Sequence, residues 1–396
     1  MSVPRVAVIT EIPTPYRQPV FDLLKLSKEI DVHFFFLNES QKDRYWKLSV
    51  KDHHSTTVLK GWQICVEGYH TIHLNFGVSN ALIKPGFDLF VIGGYAQPAL
   101  WRVLWHCWKT HTPYMMITES HLGKRRSGLV RALKSHFVRK VYSRSCANLV
   151  MGAQAKEYVS QYGASPSNIF MFPNTIDGPS YSKQVDSERQ NMVVLKQEWG
   201  VSEGKVILFV GALHRRKGVD LLIESFASLR QNLRDVSLVV VGRGQLEYEL
   251  KERVRKLNLE KAVVFAGFVQ PEDLPKVYAC ADLFVLPSLE EPFGAVVCEA
   301  MAAGLPIIVS DAVGAAKDFV KPNENGMIVP QGSLSSLTSA LLELLKDQTK
   351  MRGMGQRSKE IMKEWTHLRL AKSLVDSASI SLRSNKAGYG QGHRPN

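Results

Sequence analysis

Short runs of β-branched and other apolar residues recur along the whole chain, and helical patterns separate them. This alternation is typical of parallel α/β sheets. It occurs in both halves of the chain, so we expect two Rossmann-like layers. The predicted strands of the first half are RVAVIT (5–10), DVHFFFL (31–37), FDLFVIGG (87–94), YMMIT (114–118), NLVMG (148–152) and IFMFPN (169–174). Those of the second half are KVILFVG (205–211), VSLVVVG (236–242), AVVFAG (262–267), DLFVLPS (282–288) and IIVS (307–310).

The length of 396 residues and the hydrophobic content of 45% allow two buried cores. We predict an N-terminal domain over 1–180 and a C-terminal domain over 195–365. The polar stretch 178–200, which contains Gly, Pro and Ser, is the predicted linker. A helix at about 366–385 is predicted to return to the first domain. The tail 386–396 has no apolar periodicity and is predicted to be disordered.

Cysteine usage and the N-terminus favour a cytoplasmic protein. The five cysteines are scattered without CxxC spacing, so neither a disulfide framework nor a zinc site is indicated. The first apolar run, VAVIT, is typical of a buried strand and not of a signal peptide. No run reaches about 18 apolar residues, the length that a spanning helix needs. The net charge of +13 favours an anionic partner.

The stretch PSLEEPFGAVVCEAMAAGLP (287–306) joins a Pro-Phe-Gly corner to a predicted helix. The proline holds Glu291 in an extended conformation, and a helix beginning near Phe293 or Gly294 presents unpaired amides at its positive end. Such an end binds a diphosphate. Glu299 in the helix and Glu291 on the loop can each accept from sugar hydroxyls. The stretch therefore predicts a nucleotide sugar, with its ribose on Glu299 and its transferred sugar on Glu291.

Three cations follow the first strand of the second half, within GALHRRKGVDLLIESF (211–226). Arg215, Arg216 and Lys217 can neutralise the charge on a departing nucleoside diphosphate, as a metal would. No Asp-x-Asp pair suggests a metal clamp, so no metal ligands are predicted. The alternative is a solvated basic loop.

The dinucleotide fingerprint is incomplete. GRGQLE begins at Gly242 and has the first two glycines, but Glu247 occupies the third position. Hydride transfer is therefore disfavoured, and a tight turn between strand and helix explains Gly242 and Gly244 equally well.

The second half resembles the donor domain of the retaining glycosyltransferases of family 4. The segments that carry this resemblance are VILFVGALHRRKGVDLLIESF, VVVGRGQLEYEL, AGFVQPEDLPKVYACADLFVLPS, EEPFGAVVCEAMAAGLPIIVS and NGMIVPQG, which cover most of 205–332. The first half is more divergent and resembles the acceptor domain of the same family at PTPYRQP (13–19), GGY (93–95), TESH (118–121) and FPNTID (172–177).

The resemblance implies the GT-B fold, two facing Rossmann-like domains with a C-terminal helix that returns to the first. It also implies a metal-independent hexosyltransferase that needs no cofactor. Such an enzyme moves a sugar from a nucleoside diphosphate donor to a hydroxyl of a glycan or lipid-linked acceptor. The products would be cell-surface polysaccharide, lipopolysaccharide or glycolipid.

The resemblance also assigns roles to residues. Lys217 matches the lysine on the diphosphate, and Phe268 and Val269 lie in the loop whose backbone receives the base. Ala212 stands where the family has an arginine, so Arg216, or less favourably Arg215, supplies that charge. The implied donor-binding residues are Gly211, Gly242, Phe268, Val269, Phe293, Gly294, Ala295 and Glu299. The implied catalytic residues are Glu291, Lys217, Arg216, His121 and Glu119.

Candidates in the first domain are fewer. The family places a histidine near the anomeric carbon, and here either Glu119 or His121 occupies that region. The loop EIPTPYR (11–17) replaces the glycine-rich loop of many relatives, and its Tyr16 and Arg17 are expected on the acceptor side.

The segment KRRSGLVRALKSHFVRKVYSR (124–144) is a basic amphipathic helix with no acid between Glu119 and Glu157. We expect its apolar stripe to pack on the first domain. Its cations would attract an anionic bilayer by about 1 kcal/mol each, which gives a cytoplasmic enzyme a peripheral position at the inner face of the membrane. The alternative is that the cations are only solvated. Nucleic acid is disfavoured because no binding motif accompanies the charge.

Other functions share this fold. A sugar-nucleotide epimerase, a phosphorylase and a non-catalytic relative that binds nucleotide sugars remain alternatives to glycosyl transfer, and Ala212 makes the last conceivable.

Overall fold

The computed structural model describes residues 2–40, 55–64, 71–120, 129–201 and 204–390. The chain forms two compact units. The first comprises 1–174 together with 367–396, and the second comprises 175–366. His121 and the basic residues 124–126 lie outside the described residues.

The first unit is built on a seven-stranded parallel sheet and a separate antiparallel hairpin. Its strands are β1 Arg5–Thr10, β2 Asp31–Phe36, β3 Thr56–Val58, β4 Gly61–Ile64, β5 Ile72–Asn75, β6 Leu89–Gly93, β7 Tyr114–Thr118, β8 Ala147–Val150 and β9 Ile169–Met171. The sheet has the order β3-β2-β1-β6-β7-β8-β9, and β4 pairs with β5. All described pairs of the sheet are parallel.

Helices cover the sheet of the first unit. They are α1 Gln18–Lys25, a π-helix Ser79–Ile83, α2 Pro98–Thr110, α3 Leu129–Ser143, α4 Ala153–Gln161, a 3-10 helix Pro166–Asn168 and α14 His367–Gly390. The described part of the predicted stripe on α3 packs in the core, since Val138 and Val141 are fully buried. Helix α14, which comes after the whole second unit, packs on α1 and against β7, β8 and β9.

The second unit has a six-stranded parallel sheet. Its strands are β10 Lys205–Val210, β11 Val236–Val241, β12 Val263–Gly267, β13 Leu283–Leu286, β14 Ile307–Ser310 and β15 Gly326–Val329. Its helices are α5 Gly178–Arg189, α6 Met192–Glu198, a 3-10 helix Arg215–Lys217, α7 Val219–Arg230, α8 Glu247–Lys256, α9 Leu274–Ala279, α10 Ala295–Ala302, α11 Gly314–Phe319, α12 Leu334–Lys346 and α13 Gln348–Met362. The strand order is β12-β11-β10-β13-β14-β15.

The two sheets share one topology. In each, the chain winds outward from a central strand, β1 or β10, and then reverses to the other side at β6 or β13. At such a reversal, neighbouring loops leave the carboxyl ends of the strands toward opposite faces and open a crevice for ligands. The loops after β1 and β6, and those after β10 and β13, are therefore the expected positions of a ligand site.

Every predicted strand is present. Strands β3, β4, β5 and β15 were not predicted. Each is three or four residues long.

The linker prediction was wrong. Residues 178–200 form α5 and α6 within the second unit. The Asp177 side chain caps α5 by accepting from the Ser180 amide at 3.0 Å, and a proline lies in the first turn. Val185 is fully buried. Capping of α5 and a buried apolar residue in each helix, Val185 in α5 and Leu195 in α6, thus make two helices of a stretch whose polar composition suggested a loop.

The C-terminal helix is longer than predicted. Helix α14 continues to Gly390, so 386–390, predicted to be disordered, are helical, and 391–396 lie outside the described residues. No proline occurs between the start of α14 at His367 and Pro395, so no missing backbone donor breaks the helix. Within the described residues, no helix combines the length and the apolar character needed to cross a membrane.

Candidate functional site

Lys217 and Glu291 form a buried ion pair at the strand reversal of the second unit. Lys217 ends the 3-10 helix that follows β10, and Glu291 lies on the loop that follows the adjacent strand β13. The Lys217 Nζ donates to Glu291 Oε2, and both residues are 9% exposed. Removing one partner of such a pair leaves an uncompensated buried charge.

Backbone hydrogen bonds hold the two loops together. The carbonyl of Arg216 accepts from the amides of Leu289 at 2.7 Å and Glu290 at 3.2 Å. On the other side, the Gly314 amide donates to the carbonyl of Glu291 at 2.9 Å. The position of Glu291 is therefore fixed by main-chain contacts on both sides of it.

Gly218, directly after Lys217, makes this approach possible. Its φ is +65°, and a Cβ atom there would lie 2.3 Å from the carbonyl oxygen of Pro287. No other residue fits without displacing the loop that carries Glu291. Lys217 therefore supplies the ammonium group that pairs with Glu291, and Gly218 supplies the close turn that allows the pair to form.

Helix α10 begins at Ala295, one or two residues later than the predicted start. Gly294 is its N-cap residue, with a φ of +90°. Phe293 is buried, and its carbonyl accepts from the Ala315 amide at 2.7 Å. The positive end of α10 therefore follows Glu291 by four residues, on a backbone that is held in place.

Glu299 is buried inside α10, with 3% exposure. Its Oε2 accepts from the Tyr278 hydroxyl at 2.8 Å, and the Tyr278 ring lies 6.1 Å from that of Tyr181. Protein contacts therefore orient this carboxylate. Nothing in the sequence identified Tyr278 as its partner, because the two residues are brought together only by packing.

Cys298, next to Glu299, is fully buried, and burial raises the pKa of its thiol to about 12, although a hydrogen bond with Thr175 opposes the shift. The thiol is therefore neutral near pH 7 and does not act as a nucleophile.

Glycines allow main-chain segments to cross at the carboxyl ends of β10 and β11. A Cβ at Gly242, whose φ is +136°, would lie 1.9 Å from the carbonyl oxygen of Gly211. One at Gly244 would lie 2.5 Å from the carbonyl oxygen of Leu213. A side chain at either position would collide with the main chain, so the close crossing itself requires glycine there, as the tight-turn interpretation expects.

Further cations line the same edge of the sheet. Arg215 and Arg216 are exposed, and so is Arg243, which the sequence interpretation missed. The Arg243 Nε would lie 3.7 Å from a Cβ built on Gly267, the last residue of β12. Phe268 and Val269, which follow β12, are half-buried. Arg243 is therefore a further candidate, with Arg216 and Arg215, for the charge that the sequence analysis expects in place of Ala212.

In the first unit, Arg17 and Glu119 come together. Arg17 is buried, and it donates from Nη2 to Glu119 Oε1 at 2.8 Å and from Nε to Asn174 Oδ1 at 2.9 Å. The Glu119 side chain remains 56% exposed, and Tyr16 beside Arg17 is half-buried. Two candidates that the sequence assigned separately, to the acceptor and to the anomeric carbon, therefore share one ion pair.

Within the described residues, no cluster of three or more His, Cys, Asp or Glu side chains is arranged to hold a metal ion.

Residues 194–361 match the family described as "Glycosyl transferases group 1". This segment of the second unit is similar to glycosyltransferases of group 1. Lys217, Glu291 and Glu299 lie within the matched segment.

Two curated relatives match part of the chain. Mannosylfructose-phosphate synthase of Agrobacterium fabrum is 40% identical over 177 residues, which are 42% of this chain and 38% of that protein. An uncharacterized glycosyltransferase, MJ1607 of Methanocaldococcus jannaschii, is 32% identical over 51% of this chain and 52% of its own length. The chain thus spans about half or less of the length of these relatives.

Solved structures match nearly the whole chain. Anabaena Alr3699/HepE in complex with UDP has a TM-score of 0.73 at 18% identity, covering 95% of this chain and 99% of that one. WaaG, a glycosyltransferase involved in lipopolysaccharide biosynthesis, has a TM-score of 0.67 at 19% identity, covering 94% and 98%. At this identity the likeness concerns the fold, and the predicted GT-B class with two Rossmann-like domains is confirmed.

Proposed function

We propose that the protein is a retaining glycosyltransferase that moves a sugar from a nucleoside diphosphate sugar to a hydroxyl of a glycan or lipid-linked acceptor. The observation that carries the proposal is the buried Lys217–Glu291 pair, held beside the N-terminus of α10 in a domain of this family. A cation, a carboxylate and a helix N-terminus together match the charged and polyol parts of such a donor.

The donor would bind by partner exchange. Its diphosphate takes the place of the Glu291 carboxylate on Lys217 and lies on the amides at Gly294 and Ala295. Arg216 adds a further positive charge. Glu291, released from the lysine, then accepts from hydroxyls of the transferred sugar, while Glu299 holds the ribose.

The reaction needs no protein nucleophile under this proposal. The bond between the anomeric carbon and the diphosphate oxygen breaks, and the acceptor oxygen forms its bond to the same face of the carbon. Configuration is retained because the new bond forms on the face that the diphosphate leaves, and the acceptor proton passes to the departing diphosphate. Lys217 and the α10 amides stabilise the charge that develops on the leaving group.

The nature of donor and acceptor is supported by relatives alone. Alr3699/HepE forms complexes with UDP and with UDP-glucose, which makes UDP-sugars the first donors to test. WaaG takes part in lipopolysaccharide biosynthesis, which supports a lipid-linked acceptor. We place such an enzyme in the cytoplasm at the inner face of the membrane, with the cations of α3 toward anionic lipid.

Two steps test this function. A thermal-shift screen of UDP-, GDP- and ADP-sugars should give a higher melting temperature with the true donor. Turnover is then followed as release of nucleoside diphosphate with and without glycan or lipid-linked acceptors. Release only in the presence of acceptor supports transfer. Release that ignores the acceptor supports another chemistry, and binding of no nucleotide sugar contradicts the proposal.

Neighbouring glutamates provide a matched control. Glu291→Ala should lower kcat by about 100-fold, and Glu299→Ala should raise the donor KM by about tenfold. Glu290→Ala should leave both constants unchanged, because the Glu290 side chain is exposed and belongs to neither loop contact. An equal effect of Glu290→Ala and Glu291→Ala would contradict the assignment of the site.

A further inference from the structure

Helix α2 exposes two tryptophans. Trp101 is 50% exposed and Trp105 is 62% exposed, and their spacing of four residues places them on one side of the helix. The opposite side is the core side, where Leu100, Val103 and Leu104 are fully buried. Helix α2 therefore has two apolar sides, one buried in the core and one, with Trp101 and Trp105, exposed to water.

Contacts with α3 join these rings to basic side chains. The Phe137 ring of α3 lies 6.2 Å from that of Trp101 and 6.0 Å from that of Trp108. The ammonium of Lys140 lies 4.4 Å from the centre of the Trp108 ring, and that of Lys109 lies 5.2 Å from the Trp105 ring. We call the surface formed by Trp101, Arg102, Trp105, Trp108, Lys109, Phe137 and Lys140 the aromatic–basic face.

Negative charge is almost absent from this region. Glu119 is the only acidic residue in the sequence between Asp88 and Glu157, and its carboxylate pairs with Arg17. The cations of α2 and α3 therefore have no acidic neighbours in sequence that would neutralise them. The aromatic–basic face is both apolar and strongly positive.

We propose that the aromatic–basic face binds an anionic lipid bilayer. Tryptophan rings occupy the level of lipid headgroups, where their apolar bodies and polar N–H groups are both accommodated, and Lys and Arg beside them pair with lipid phosphates. The proposal deepens the proposed function and rests on it for its meaning, because it names the surface that brings the enzyme to a lipid-linked acceptor.

Charge distinguishes a bilayer from other occupants. The centre of a protein interface is poor in lysine, whereas lysine ammonium groups here lie over the rings of Trp105 and Trp108. A second copy of this chain would bring like charges together. An anionic bilayer satisfies the apolar and the charged parts of the face at once.

Co-sedimentation with vesicles tests the proposal. The full chain is mixed with vesicles of phosphatidylcholine, with or without about one third phosphatidylglycerol, and the bound fraction is measured against lipid concentration. The wild type should bind the anionic vesicles and bind the neutral ones weakly. Trp105→Ala should raise the half-saturating lipid concentration about tenfold. The double variant Arg102→Glu/Lys109→Glu should abolish the preference for anionic lipid.

Controls separate surface loss from misfolding. Tyr248→Ala removes a 76% exposed aromatic ring from α8 in the second unit, and its binding should match the wild type. The melting temperature of Trp105→Ala should stay within a few degrees of the wild type. If that variant unfolds, Trp105→Gln and the double charge variant provide the same comparison.

Vesicle binding and self-association can each overturn the proposal. Equal vesicle binding by the wild type and Trp105→Ala, or no binding by the wild type, overturns the proposal. A concentration-dependent dimer that Trp105→Ala disrupts would make the face a self-association surface and also overturns it. The donor-induced thermal shift of Trp105→Ala should equal that of the wild type. Its absence in both proteins would contradict the proposed function while leaving the vesicle result valid.

Discussion

Each unit carries one ion pair near the carboxyl ends of its central strands, and the two pairs differ in burial. In the second unit, the side chains of Lys217 and Glu291 are 11% and 10% exposed. In the first, Arg17 is 10% exposed but Glu119 is 56% exposed. The same strand order thus supports a closed pair in one unit and a half-open pair in the other.

Burial determines what each pair can do. Water screens an exposed carboxylate, so the Arg17–Glu119 contact contributes little stability, and Glu119 is accessible to a ligand. The Lys217–Glu291 pair is shielded, and either charge alone is costly. A ligand can separate this pair only if it supplies a new partner to both, which a phosphate and a sugar hydroxyl do.

The largest expected effect follows from removing the lysine of the closed pair. Lys217→Met leaves the Glu291 carboxylate buried without its cation, and should lower the free energy of unfolding by about 3 kcal/mol. Urea denaturation measures this. Transfer activity should be lost as well, because no ammonium remains for the diphosphate.

The double variant Lys217→Met/Glu291→Leu is the control for that experiment. It removes both charges and should recover most of the stability, since two apolar side chains of similar volume replace the pair. It should recover no activity. If the double variant were as unstable as the single one, the ion pair would not be the cause of the loss.

An intermediate effect is expected at Gly218, which lets the closed pair form. Gly218→Ala places a Cβ 2.3 Å from the Pro287 carbonyl oxygen at a φ of +65°, and should cost about 2 kcal/mol. Gly353→Ala is the matched control, because its Cβ meets nothing within 4 Å in α13. That change should stabilise by up to about 1 kcal/mol. Thermal melts of the two variants should therefore move in opposite directions.

The smallest effect on stability is expected in the open pair. Glu119→Gln should change the free energy of unfolding by less than about 1 kcal/mol, while the KM for the acceptor rises. Denaturation and acceptor titration measured on one preparation test both statements. A loss of stability comparable to that of Lys217→Met would show that the two ion pairs contribute equally to the free energy of unfolding, which contradicts the comparison.

The elements that were predicted correctly have local signals in the sequence. The long β-branched runs identified the central strands, and Pro292 with Gly294 located the start of α10 to within two residues. Asp177 and Pro179 are sequence signals for the start of α5, the one as its N-cap and the other in its first turn. The polar composition of 178–200 gives the opposite indication, and here capping determines the structure.

Pairings between distant residues were not predictable in this way. Tyr278 of α9 donates to Glu299 of α10 across 21 positions of sequence, and Arg17 reaches Glu119 across 102 positions. Arg243 stands between Gly242 and Gly244, whose spacing predicts a turn and assigns no role to the side chain between them. Such partners depend on tertiary packing, for which the sequence holds no local signal.

Helix α14 has a consequence for how this chain folds during synthesis. Leu370, Leu374 and Ala378 of the helix are buried in the first unit, although the whole second unit precedes them in the sequence. A ribosome releases the chain from its N-terminus, so the second unit is free to fold while the first still lacks its last helix. The unit that begins the chain is therefore the later of the two to be completed.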